Sequence, residues 1–178
     1  MEDWQSIVKE NSPTVWRTAY RILGNEADAS DCYQETFIAA LEAARKEPVR
    51  KWPAFLCRIA THQALDQLRQ RVRQRSRSDG PADWNQIASR DGGPAEQAGY
   101  AELGEHLRQA LTQLNPEQAE VFCLAALEGQ SYREIAAQVK KTTSEVGVLL
   151  HRARTQLREL LSNFVSEESK NEVRHDRR

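Results

Sequence analysis

Residues able to do covalent chemistry are few in this chain and lie far apart. His62, His106, His151 and His175 are scattered, as are Cys32, Cys57 and Cys123, and none is set beside a carboxylate or cysteine at the spacing of a metal centre. There is no glycine-rich phosphate loop and no nucleophile elbow. No catalytic constellation emerges, so an enzyme is not expected, nor a metal or other cofactor. What the chain does offer is the chemistry of contact. In "SYREIAAQVKKTTSEVGVLLHRARTQLREL", Ser131–Leu160, an outward face combines Tyr132, Arg133, Thr143, Ser144, Gly147, Val148, His151 and Arg152, with Arg154 and Arg158 following. Hydroxyls, an imidazole and a backbone bared by glycine can approach a nucleic-acid groove, and guanidiniums can meet phosphates. They supply little of the bidentate Arg-to-guanine or Asn-to-adenine reading that specifies bases.

The element that must position this face is a helix-turn-helix. Ser131 with Glu134 and Thr142 with Glu145 read as two capping boxes. Ile135, Ala136 and Val139 face inward on the first helix, and Val146, Leu150, Ala153 and Leu157 form the inward stripe of the second. Upstream, "LNPEQAEVF" starts another helix, with Asn115 as N-cap and Pro116 in the first turn. A helix opened by Pro94 precedes it and runs to Leu114.

The N-terminal part is helical in pattern too. A short helix is expected over Asp3–Asn11, a second from Pro13 to Leu23 and a third over Glu26–Arg45. On the third, "DCYQETF" points Cys32, Tyr33, Thr36 and Phe37 inward and leaves Asp31, Gln34 and Glu35 outward, a face able to meet a basic partner. The loop "KEPVRK", Lys46–Lys51, leads into a fourth helix beginning near Trp52. Lys46, Arg50, Lys51, Arg58, Arg69 and Arg73 form a positive tract with Trp52 and Phe55 at its entrance. Cations beside aromatic rings suit single-stranded nucleic acid, although both rings serve more readily as core. The arginines from Arg69 to Arg77 spread around the helix, which predicts an exposed end.

The 178 residues carry a net charge of −1, but unevenly. Residues 50–78 hold 8 basic and 1 acidic group and residues 128–161 hold 6 and 4, whereas residues 1–49 hold 5 and 9 and residues 79–127 hold 2 and 8. Two basic blocks in acidic surroundings predict two points of contact with a polyanion. The odd cysteines in apolar helical patterns suggest buried thiols in a reducing cytoplasmic setting, and no apolar run is long enough for membrane insertion.

The expected fold is all-α, two small helical domains joined by a flexible linker. The first spans residues 1–75, the linker 76–97 with Trp84 and Ile87 as its large apolar groups, the second 98–163, and a charged, frayed tail 164–178. In that order the parts resemble the extracytoplasmic-function (ECF) group of bacterial RNA polymerase sigma factors. "VWRTAYRILGNEADASDCYQETFIAAL" with "WPAFLCRIATHQALDQLRQR" is similar to sigma domain two, and "ALTQLNPEQAEVFCLAALEGQSYREIAAQ" with "HRARTQLREL" to sigma domain four. The resemblance implies that Asp31, Gln34 and Glu35 dock on the clamp helices of the polymerase β′ subunit. It implies that Lys46, Arg50, Lys51, Trp52, Arg58, His62, Arg69 and Arg73 meet the melted −10 element, and that the helix-turn-helix reads the −35 duplex. Its partners would be core RNA polymerase (β′ clamp and β), promoter DNA and an anti-sigma factor. Two departures stand out: His62 where the family usually has Asn, and Gly147, Val148 and Leu149 where Lys, Ser and Arg are common. Other readings of the same residues are a stand-alone helix-turn-helix regulator and an interaction protein whose −35 reader is degenerate.

Overall fold

A computed structural model describes residues 3–77 and 95–175, and among them every regular element is a helix. The first, α1, spans Trp4–Leu23. It is one helix where the sequence predicts two, because Pro13 is absorbed within it. A proline deprives the preceding turn of a backbone donor. The bond omitted is the one to the Lys9 carbonyl; in the same turn side chains add bonds of their own, Asn11 Nδ2 to the Ile7 carbonyl at 2.8 Å and Ser12 Oγ to that of Val8 at 2.6 Å. Asp3 caps the start, accepting from the Gln5 amide at 3.2 Å.

Gly24, at φ 76°, ends α1, and its N–H reaches the Tyr20 carbonyl at 2.8 Å. That φ favours glycine, and a side chain would also have to displace a flexible neighbour. A Cβ would stand 2.3 Å from Cζ of Arg108, whose guanidinium lies across the turn. Asn25 then caps α2, Glu26–Ala44, by accepting from the Asp28 amide at 2.9 Å. The long α3 covers Trp52–Arg77. These three helices enclose Ile7, Val15, Phe37, Ala40, Leu56 and Ala60. An edge-to-face chain of rings extends that core, from Trp16 through Tyr33, Phe37 and Trp4 to Trp52 and Phe55.

The second unit begins with α4, Ala95–Gln113. Asn115 caps α5, Pro116–Phe122, which widens into a π-helical turn over Cys123–Leu127. Two helices follow, α6 over Tyr132–Val139 and α7 over Thr143–His175. Helix α7 thus continues through most of the segment expected to fray. Both capping boxes form. Ser131 Oγ accepts from the Glu134 amide at 3.3 Å while Glu134 Oε2 accepts from the Ser131 amide at 2.9 Å. Thr142 and Glu145 repeat the pattern at 3.2 and 2.7 Å. Val121, Leu124, Ile135, Ala136, Val146 and Leu150 close the local core. The linker residues Trp84 and Ile87 lie outside the described residues.

The two units are packed together. One apolar cluster joins Ala19, Ile22, Leu23, Leu65 and Leu68 of the first to Leu111, Leu114, Cys123, Ala153 and Leu157 of the second. Polar links surround it. Arg21 donates to the Leu127 carbonyl at 2.7 Å, the Cys57 thiol to Glu128 at 3.4 Å, and Arg58 to Glu120 at 2.9 Å.

Candidate functional site

Three surfaces carry the residues singled out from the sequence. On α2, burial of Cys32, Thr36 and Ala40 against α3 turns Asp31, Gln34 and Glu35 outward. The face is held in register by α3. Gln63 Nε2 donates to the Glu35 carbonyl at 3.3 Å, and Gln67 Nε2 to its carboxylate at 2.9 Å. Ile38 belongs to the same stripe, one turn beyond Gln34 and Glu35, and is 60 % exposed. Sequence reasoning missed it. The signal was there, since an isoleucine off the inward stripe Cys32–Thr36–Ala40 must face water or a partner. Ile38 adds an exposed apolar group to a face otherwise made of acid and amide.

The basic tract divides in two. Lys46, Arg50, Lys51 and Arg73 are exposed. Trp52 is half-buried, edge-on to Trp4 at 5.7 Å and to Phe55 at 6.1 Å, so its ring is built into the core of the first unit. Arg58 is engaged by Glu120. His62 is exposed and stands 3.5 Å from Asp66, one helical turn on, a pairing that the sequence reading passed over. Arg69 and Arg71 correct the expectation of an exposed helix end. Their side chains are each only 16 % exposed. Arg69 donates to Asp66 at 3.1 Å. Arg71 donates to Asp28 at 2.8 Å and to the Leu23 carbonyl at 3.2 Å, tying α3 to the junction of α1 and α2. The Leu68 side of α3 is covered by the second unit, and a charge so placed must be paired.

On the helix-turn-helix, Val146, Leu150, Ala153 and Leu157 are buried as the stripe predicts. Lys140 makes the turn at φ 55°. Tyr132, Arg133, Thr143, Ser144, Val148, His151 and Arg152 are all exposed, and Gly147 lies among them half-buried. Leu149 does not join them, because it is partly buried against the local core.

The three cysteines are buried thiols. Burial pushes Cys32 and Cys123 up to about 12 and Cys57 up to about 11, so all stay protonated at neutral pH. Among the described residues no group of His, Cys, Asp and Glu could hold a metal ion, and no helix is long and apolar enough to cross a membrane.

Comparison with known proteins agrees with this geometry. The family model of sigma-70 region 2 matches residues 7–74, which carry the acidic stripe and the basic tract. That of sigma-70 region 4 matches residues 105–157, which carry the helix-turn-helix. The ECF RNA polymerase sigma factor SigE of Mycolicibacterium smegmatis is 35 % identical over 167 residues, which are 94 % of this chain and 65 % of that protein. The chain therefore spans just under two-thirds of that relative's length. The RNA polymerase sigma factor CarQ of Myxococcus xanthus is 29 % identical over 164 residues, covering 90 % of each. Among solved structures, CnrH in complex with the cytosolic domain of CnrY aligns with a TM-score of 0.55 at 25 % identity, over 90 % of this chain and 88 % of that one. With both regions present in order on one helical scaffold, the chain belongs to the sigma-70 family, in its extracytoplasmic-function group.

Proposed function

We propose that this chain is a promoter-specificity factor that binds core RNA polymerase, directs it to particular promoters and initiates transcription there. The observation that carries the reading is the pair of region matches, each falling on a folded unit with the surface its task needs. Asp31, Gln34 and Glu35, with Ile38 among them, dock on the β′ clamp. The basic groups Lys46, Arg50, Lys51, Arg58 and Arg73 neutralise phosphates of the opened −10 strand, with His62 beside it. Trp52 and Arg69 hold the framework of that surface rather than its front. The helix-turn-helix contacts the −35 duplex through α7. The work is binding and strand opening, without catalysis by the chain itself, and its place is with the polymerase in the cytoplasm.

The CnrH structure contains an anti-sigma partner, the cytosolic domain of CnrY. A partner of that kind for this chain is part of the proposal. Run-off transcription with core polymerase and a library of promoters tests the reading. The chain should select a subset of templates that core alone ignores. Asp31→Arg combined with Glu35→Arg should abolish both co-purification with core and transcription, while leaving the helical circular dichroism unchanged. Full transcription by that double variant would remove the docking assignment, and no template selection at all would remove the function.

A further inference from the structure

The outward face of α7 has an apolar centre. Ser144, Val148 and Arg152 follow one another at four-residue intervals and are exposed, while Val146, Leu150 and Ala153 on the opposite side are buried. Val148 is 48 % exposed, in the second turn of the recognition helix. The residue before it, Gly147, has no side chain, and the ring of Tyr132 from α6 lies next to it. A Cβ at Gly147 would lie 3.6 Å from Tyr132 Cε2. Tyr132, packed beside Gly147, and Val148, the next residue of α7, are both exposed, so an aromatic ring and an isopropyl group lie on the same outward face. Around them stand Arg133, Ser144, His151 and Arg152, all exposed.

An apolar centre inside a polar and cationic rim marks a contact surface. Its position on the reading helix of a helix-turn-helix, with guanidiniums on either side to meet phosphates, places it toward the floor of a major groove. The one apolar group a base pair offers there is the C5-methyl of thymine. A helical protein partner would be met instead by an apolar strip running along several turns, whereas here His151 and Arg152 interrupt it after one residue of α7.

We propose that Val148, flanked by Tyr132 across Gly147, reads the C5-methyl group of one thymine in the −35 duplex. This inference rests on the promoter-reading function above and adds the chemical feature that this unusual recognition helix selects. It also explains how the helix discriminates without Arg-to-guanine or Asn-to-adenine pairs: the signal is a methyl group, which separates thymine from cytosine at the same position.

The test replaces each thymine of a selected −35 element singly by deoxyuridine, which removes the methyl group and leaves base pairing intact. Affinity of the holoenzyme is measured on each duplex. At one position the substitution should weaken binding about four-fold, the worth of one buried methyl or methylene group. Val148→Ala should bind the parent duplex about four-fold more weakly and lose its sensitivity to uracil at that position alone. A duplex that binds well but tolerates uracil everywhere overturns the inference and leaves promoter reading intact, as does an undiminished uracil penalty in Val148→Ala. If Val148→Ala instead lowers assembly with core polymerase, the patch belongs to a protein contact and the inference falls. If no duplex is selected by wild-type holoenzyme, the promoter-reading function falls with it.

Discussion

Replacing Glu120 by Gln should loosen the hold of the second unit on the first and release Arg58. The two side chains meet at 2.9 Å, with Arg58 37 % and Glu120 13 % exposed. A shielded hydrogen bond to a charged group is worth about 1.5–3 kcal/mol, and an exposed ion pair about 0.2–1 kcal/mol. With one partner more than a third exposed, about 1 kcal/mol is the appropriate figure, or about five-fold in the equilibrium between docked and separated units. Gln keeps the shape and an acceptor, so the loss is that of the charge. The shared apolar cluster around Leu68 and Leu111 is untouched, and the thermal midpoint should fall by no more than about 2–4 °C.

The second effect is electrostatic. On the proposed assignment Arg58 neutralises a phosphate of the opened strand, and in the docked arrangement Glu120 occupies it. Freeing one cation should steepen the dependence of log affinity on log salt by about 0.7 for single-stranded DNA. Fluorescence anisotropy with a single-stranded oligonucleotide, titrated at several salt concentrations, reads both effects. Glu120→Gln should gain about five-fold in affinity at low salt and show the steeper slope, and adding Arg58→Ala should remove both. Identical affinity and slope in wild type and Glu120→Gln would refute the reasoning, as would a gain that survives Arg58→Ala.

Three further outcomes are expected. The buried thiols have folded-state values raised from 9.0 to about 11–12, so their contribution to stability is complete below pH 9 and is lost as pH climbs toward 11–12; urea midpoints across that range should fall, more steeply than in a Cys123→Ala background. Ser131→Ala and Thr142→Ala should each cost about 1 kcal/mol by chemical denaturation. The Glu134 and Glu145 carboxyls are held below their ordinary value of 4.5, mainly by bonds to Ser131 and to Thr142, so this stabilisation should be present above pH 4.5 and fade as pH falls through the lowered values. Gly147→Ala should raise stability by about 1 kcal/mol, because helix propensity improves and the added Cβ meets Tyr132 at an ordinary contact distance; a drop in melting temperature would show that the ring cannot yield.

What was legible in the sequence follows the range over which the responsible forces act. Capping boxes and inward stripes are local, and those at Ser131, Thr142 and Val146–Leu157 formed as their spacing predicts. Pro13 reads as a helix start, but it sits inside α1, where the buried residues Ile7, Asn11, Val15, Thr18 and Ile22 continue one inward stripe across it. Arg69 and Arg71 were misread for a different reason. A run of alternating arginines reads as solvated, but Arg71 finds Asp28 across 43 residues of chain, and the second unit covers the adjoining Leu68 face. Arg58 could not be foreseen as paired, since Glu120 lies 62 residues away on the other side of the linker. Ile38 is legible in principle, since it lies off the inward stripe Cys32–Thr36–Ala40.

The docked arrangement also ranks the three surfaces by accessibility. The interface between units uses the C-terminal end of α1, the Leu65–Leu68 side of α3 and the α5 turn. It leaves Asp31, Gln34 and Ile38 on α2 exposed, and likewise Ser144, Val148 and Arg152 on α7. Among the described groups assigned to the −10 strand, Arg58 has its guanidinium bound by the opposite unit, and Lys51 lies within electrostatic reach of Glu134 there. On the proposed assignment, docking on polymerase through α2 requires no prior separation, whereas full engagement of the opened strand would have Arg58 exchange a carboxylate for a phosphate. The exchange is close to neutral in charge terms, one anion replacing another. What resists it is the apolar cluster shared between the units, and binding energy gained on polymerase is what can offset that. On the proposed assignment, docking through α2 can precede separation of the units, and the Arg58–Glu120 pair and the apolar cluster around Leu68 together hold the second step back.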